Sequence, residues 1–121
     1  MKNILCFFLL SFFFMNCSSQ EEIKSISTRK LKVLLAGEKV QLMDVRSPKE
    51  IKKGAIKTAL FANYFDADFY EKAAQQLDKN KPVYLYCRSG NRSGKASKIL
   101  EAKGFNVVNV LGGYMKWQKE N

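Results

Sequence analysis

Two short apolar runs constrain this chain more than any other feature. Val40-Gln41-Leu42-Met43-Asp44-Val45 is apolar apart from Gln41 and Asp44, and Val83-Tyr84-Leu85-Tyr86 ends abruptly at Cys87. Runs this short, without strict polar alternation, suit strands covered on both faces, as in a parallel sheet. Parallel strands need crossover connections, and the intervening segments carry helical signals. Ser27 or Thr28 can cap a helix with Leu31, Leu34 and Leu35 at helical spacing and Gly37 as its stop. Pro48 after Ser47 opens a short helix through Ile51. Asp66 or Asp68 caps a helix whose face is Phe69, Ala73 and Leu77. A helix from about Asn91 to Lys103 carries Ala96, Ile99 and Leu100 on one face and ends at Gly104, a left-handed cap. Further strands are expected around Ile23 to Ile26, Ala59 to Phe61 and Phe105 to Val110, with a terminal helix from Tyr114 to Lys119. Strands alternating with helices predict an α/β domain of three layers, a mostly parallel central sheet flanked by helices.

In open parallel sheets, sites lie beyond the carboxyl ends of the strands. Asp44-Val45-Arg46, the stretch from Cys87 to Ser93, and Gly112-Gly113 all fall there. Cys87 sits between a strand end and a helix N-terminus, where amide N–H groups and the helix dipole favour an anion and hence the reactive thiolate. In C-R-S-G-N-R-S, Gly90 permits a turn that aims successive N–H groups inward. Arg88 and Arg92 add positive charge, while Ser89, Asn91 and Ser93 add side-chain donors. The chain has no histidine, which excludes Ser-His and Cys-His machinery and a His-ligated metal. Activation of Cys87 must therefore be electrostatic, and no metal or other cofactor is implied.

The N-terminal residues stand apart from this domain. Met1-Lys2-Asn3 precedes an almost unbroken apolar run from Ile4 to Met15, too short to span a membrane and suited to a signal sequence. Asn16-Cys17-Ser18-Ser19-Gln20 follows, and the arrangement resembles a bacterial lipoprotein signal, with Phe14 and Asn16 departing from the usual residues before the cysteine. The expected organisation is a signal peptide over residues 1–16, a polar tether over 17–24 and one domain over 25–120. Cys17 would carry the lipid, making the protein an exported, membrane-anchored lipoprotein facing the periplasm; ordinary signal cleavage nearby is the rival reading. Of the three cysteines, Cys6 would leave with the signal and Cys17 would be acylated, so Cys87 would be the lone free thiol. The net charge of +10 reads as a solvated basic surface with some attraction for anionic lipid or small anions, not as a nucleic-acid interface.

Four landmarks in order resemble the rhodanese sulfurtransferase domain: D-V-R-S-P-K-E-I from Asp44, G-A-I-K-T-A from Gly54, C-R-S-G-N-R-S from Cys87 and L-G-G-Y-M-K-W from Leu111. The resemblance spans residues 25 to 119, with Ala55 standing where the family commonly has histidine. It implies a rhodanese-like fold and a two-step transfer. The Cys87 thiolate takes sulfane sulfur from a donor such as thiosulfate, and a thiophilic acceptor (cyanide or a thiol) removes it. The same resemblance makes the backbone of residues 88 to 92 a persulfide cradle, with Arg88 and Arg92 steering the anionic donor. Asp44 and Arg46 become loop braces, Gly112 and Gly113 a close approach to the site, and Trp117 a core residue.

Two other classes fit the same residues. A persulfide carrier or sensor without turnover would need the same loop. A phosphatase or arsenate reductase would place five residues between cysteine and arginine, whereas Cys87 and Arg92 enclose four, a ring suited to one sulfur atom.

Overall fold

A computed structural model describes residues 22–121. The expected signal, Cys17 and most of the tether lie outside them. The five strands are β1 (Lys24–Ser27), β2 (Gln41–Asp44), β3 (Leu60–Phe61), β4 (Val83–Tyr86) and β5 (Val107–Leu111). They form one sheet in the order β1-β5-β4-β2-β3, with every pairing parallel. The helices are α1 (Thr28–Gly37), α2 (Pro48–Lys52), α3 (Phe69–Ala74), α4 (Asn91–Ala102) and α5 (Gly113–Glu120).

The apolar runs behave as their composition requires. Successive side chains of a strand point to opposite faces, so Met43, Val83, Leu85 and Cys87 join one core while Leu42 and Tyr86 join the other. The first core is closed by Phe69 and Ala73 of α3 and by Ala96 and Leu100 of α4. The second is closed by Leu31 of α1, with Tyr114 and Trp117 of α5 packed against it. Gln41, the polar residue in its run, holds the turn before β4: its side chain accepts from the Asp78 N–H at 2.7 Å and donates to the carbonyls of Asp78, Lys81 and Pro82. Leu85 is fully buried, and truncating such a side chain to alanine costs about 2–5 kcal/mol.

Helix signals hold where a side chain has a backbone partner. Ser27 caps α1 by accepting from the Lys30 N–H at 3.1 Å. Ser47 and Glu50 form a reciprocal capping box at the start of α2. Gly104 has φ +97°, and the Phe105 N–H returns to the Leu100 carbonyl at 3.1 Å, as a left-handed helix end requires.

Three details differ from expectation. Neither Asp66 nor Asp68 caps α3 through its side chain; both carboxylates turn to Lys72 Nζ, at 3.0 and 3.4 Å. That helix ends at Ala74 instead of reaching Leu77, because the backbone tightens into bonds from Gln76 to Ala73 and from Leu77 to Ala74. Leu77 still packs against the core from this tighter turn. On α4, Ile99 is exposed, and the buried face is Ser93, Ala96, Ser97 and Leu100. Spacing by three, four and seven residues defines that face, and two of its members are serines.

Candidate active site

Strand β4 delivers Cys87 to the carboxyl edge of the sheet, and α4 begins four residues later at Asn91. Between them Gly90 adopts φ +112°, a left-handed conformation that glycine takes without strain. The turn folds the chain back over the sulfur. The Gly90 N–H donates to Cys87 Sγ at 3.1 Å, the Ser93 N–H lies 3.4 Å away, and the Ser93 hydroxyl oxygen is also at 3.4 Å. Cys87 is 1% exposed. Burial pushes its thiol up, but hydrogen bonds from the Ser93 hydroxyl and from the amides of Ser93, Gly90 and Ser89 outweigh it and hold the thiol below its ordinary value. Donors aimed at the sulfur favour the charged form.

The loop is fixed from below by α5. The Tyr114 N–H donates to the Cys87 carbonyl at 2.8 Å and the Met115 N–H to the Arg88 carbonyl at 3.0 Å. With those carbonyls committed to α5, the amides of Ser89 and Gly90 turn toward the sulfur. Gly113 makes the approach possible: a Cβ there would lie 2.5 Å from both carbonyl oxygens. Gly112 has a different neighbour, since a Cβ there would meet the side chain of Lys116.

The arginines of the loop take different environments. Arg88 is exposed and lines a cleft of about 310 Å³ with Arg46, Glu50, Lys53, Tyr114, Met115 and Gln118. Arg92 forks onto Glu50, with contacts of 2.9 and 2.8 Å, and stacks over Phe65 at 5.3 Å. The Arg92 bond lowers Glu50 to about 2, and Glu50 in turn raises Arg92. Much of the Arg92 charge expected to serve the donor is therefore answered by Glu50. The side chains of Ser89 and Asn91 are exposed; among the described residues only the Ser93 hydroxyl reaches the sulfur from a polar side chain.

Asp44 and Arg46 form a buried pair at the end of β2, 2.8 Å apart and 0% and 4% exposed. Arg46 also donates to the Gly54 carbonyl at 2.7 Å and lies 4.3 Å over the Tyr114 ring. The pair thus braces the segment after α2 against α5, behind the loop. Tyr86 joins it: its phenol oxygen accepts from the Ile56 N–H at 3.0 Å. Burial first, then Asp44, push that phenol well up, so it stays protonated.

Two residues of the site escaped the sequence reading. Glu50 was available as the fourth residue of S-P-K-E, a capping-box signature that fixes a carboxylate at the start of a helix. Asn109 stands as a polar residue inside an apolar run. Its amide nitrogen donates to the Gly90 carbonyl at 3.2 Å, and its oxygen accepts from the Ser93 hydroxyl at 2.6 Å.

A parallel α/β sheet that ends in an amide-lined cysteine loop defines, among the described residues, a domain built around one thiol. The model of the rhodanese-like domain matches residues 27–120, and the chain belongs to that family. It is 43% identical over 100 residues to the Bacillus subtilis protein named "Putative sulfurtransferase YtwF", covering 82% of this chain and 94% of that one. It is 33% identical over 99 residues to a sulfurtransferase of Allochromatium vinosum, covering 80% and 90%. The crystal structure of a rhodanese-like domain protein from Staphylococcus aureus superposes with a TM-score of 0.72 at 38% identity, covering 78% of this chain and 91% of that one.

Proposed function

We propose that this protein is a thiosulfate-type sulfurtransferase working through a persulfide on Cys87. The observation that carries the reading is the convergence of Gly90 and Ser93 donors on a buried Sγ. In the first step the thiolate attacks the outer sulfur of thiosulfate. The new S–S bond forms as the bond to the sulfite group breaks, and sulfite leaves with the electron pair. In the second, cyanide or a thiolate acceptor attacks the outer sulfur, and Sγ leaves as thiolate. The loop amides hold the charge in both states without a paired base, as preorganised donors do. Thiosulfate and cyanide are the donor and acceptor to try first, and the cationic side chains of Arg88 and Lys53 beside the loop suit an anionic donor.

The test is thiosulfate:cyanide turnover, together with the mass of Cys87 after thiosulfate alone. Turnover absent in Cys87→Ser is expected. A mass gain of one sulfur without turnover would support the carrier reading, and the absence of both turnover and mass gain would overturn sulfur transfer altogether. Aryl-phosphate hydrolysis lost in Cys87→Ser would point to the phosphatase class; the four-residue spacing to Arg92 disfavours it.

The same proposal places the protein outside the cytoplasm, exported by residues 1–16 and held at a membrane by lipid on Cys17, with the domain facing the periplasm. Cys17→Ala should move it from the membrane fraction to the soluble one; persistence at the membrane refutes the anchor.

A further inference from the structure

The Ser93 hydroxyl has one proton and two acceptors. Asn109 Oδ1 lies 2.6 Å from Ser93 Oγ, and Cys87 Sγ lies 3.4 Å from it. The amide of Asn109 cannot be turned over to relieve the competition. Its other end faces the Gly90 carbonyl at 3.2 Å, and a carbonyl only accepts, so the nitrogen must lie there and the oxygen toward Ser93. Ser93 is fully buried and Asn109 is 8% exposed, so water does not readily replace either bond.

We propose that Asn109 is a positioning residue that competes with Cys87 for the single hydroxyl proton of Ser93, making Ser93 a donor that serves the sulfur only when the sulfur is charged. With a neutral thiol the proton stays on the short bond to Asn109, and the Ser93 oxygen can accept from S–H. When the thiol ionises, the hydroxyl rotates to Sγ and the buried Asn109 oxygen loses its donor, a cost set against thiolate formation. When sulfur is loaded, Sγ becomes a neutral bridging atom with the charge on the outer sulfur, and the hydroxyl returns to Asn109. When an acceptor removes that sulfur, Sγ leaves as thiolate and draws the hydroxyl back. The consequence for turnover rests on the sulfur-transfer reading; the competition itself does not.

The charged and titratable groups around Cys87 are Arg88 on its loop, Arg92 on α4, Glu50 on α2, Asp44 at the end of β2 with Arg46 just beyond it, Tyr86 on β4 and Tyr114 on α5. None is changed in the test. Full-length protein is titrated by the ultraviolet absorbance of its thiolate, with Cys87→Ser as reference, and by its rate of reaction with a small methanethiosulfonate. Asn109→Leu, close in size but unable to accept, should move the thiolate midpoint to lower pH. The reaction rate well below that midpoint should rise roughly threefold for each roughly tenfold gain in thiolate, because a less basic thiolate is a weaker nucleophile. In a Ser93→Ala background the same substitution should have no effect on either readout. A midpoint that rises or stays in Asn109→Leu, or a shift that persists without the Ser93 hydroxyl, overturns the proposal. Asn109→Ala provides the same comparison should leucine prevent folding, and its prediction is the same. Absence of sulfur transfer in the parent protein would refute the proposed function and leave the thiolate titration as it stands.

Discussion

Gly113→Ala is the sharpest probe of how the cysteine loop is held. The new methyl would lie 2.5 Å from the carbonyl oxygens of Cys87 and Arg88 and 2.6 Å from the Arg88 carbonyl carbon. Favourable contact begins near ~3.5 Å, so backbone must move by roughly 1 Å on one side. Gly113 also has φ +58°, a conformation that costs other residues about 1–2 kcal/mol. Overpacking against rigid backbone adds about 1–3 kcal/mol. Stretching the bonds from Tyr114 and Met115 to those carbonyls forfeits about 1 kcal/mol. The sum, roughly 3–6 kcal/mol, is a large share of the ~5–15 kcal/mol that stabilises a domain. Urea denaturation of parent and variant measures it, with Gly37→Ala as control, since nothing lies within 4 Å of a Cβ there. The control should fall within about 1 kcal/mol of the parent. Protein that remains folded should react more slowly at Cys87, because freed carbonyls no longer aim the loop amides at the sulfur. A Gly113→Ala midpoint within about 1 kcal/mol of the parent, with the same slope, would refute the clamp.

Other consequences follow from the charged groups. Sulfur uptake should rise with pH and level off below the range of an ordinary thiol, because the Ser93 and Gly90 donors hold Cys87 low; a profile centred at or above that range contradicts the cradle. Glu50 is held at about 2, below the ordinary carboxylate value of ~4.3. Its contribution is therefore complete above that value and lost as pH falls toward 2. The pair is partly solvated, so Glu50→Gln should cost about 1 kcal/mol or less at neutral pH and flatten the acid limb of a stability–pH curve between about 4 and 2. Asp44→Ala strands the buried guanidinium of Arg46 and should cost about 3–5 kcal/mol in chemical denaturation; a loss below about 1 kcal/mol would show the pair to be solvated.

The sheet and the cysteine loop were legible because their physics is local. Apolar runs without alternation demand two covered faces, and a cysteine between a strand end and a helix start meets free amides wherever it occurs. What stayed hidden depends on partners distant in sequence. The buried face of α4 contains Ser93 and Ser97, so following apolar side chains alone placed Ile99 inside, where it is not. The partner of Arg92 is Glu50, forty-two residues away, and no spacing rule joins them. Asn109 gained its role only when β5 came to lie beside β4, bringing its amide to Gly90 and Ser93. Asp66 and Asp68 look like caps from sequence, but a nearby lysine claims both.

The all-parallel sheet also gives the domain two unlike poles. Every strand starts at one and ends at the other, so the chain enters β1 at Lys24 on the pole opposite Cys87. The register sets Lys24 level with Val108 and Tyr84, three residues before Cys87, so at about 3.3 Å per residue roughly 10 Å of sheet separates the entry point from the cysteine. A domain held at a surface by the segment before β1 would then turn its cysteine loop away from that surface. Were the chain attached through that segment, the direction of the strands would orient the domain, leaving the pole that carries the Cys87 loop open.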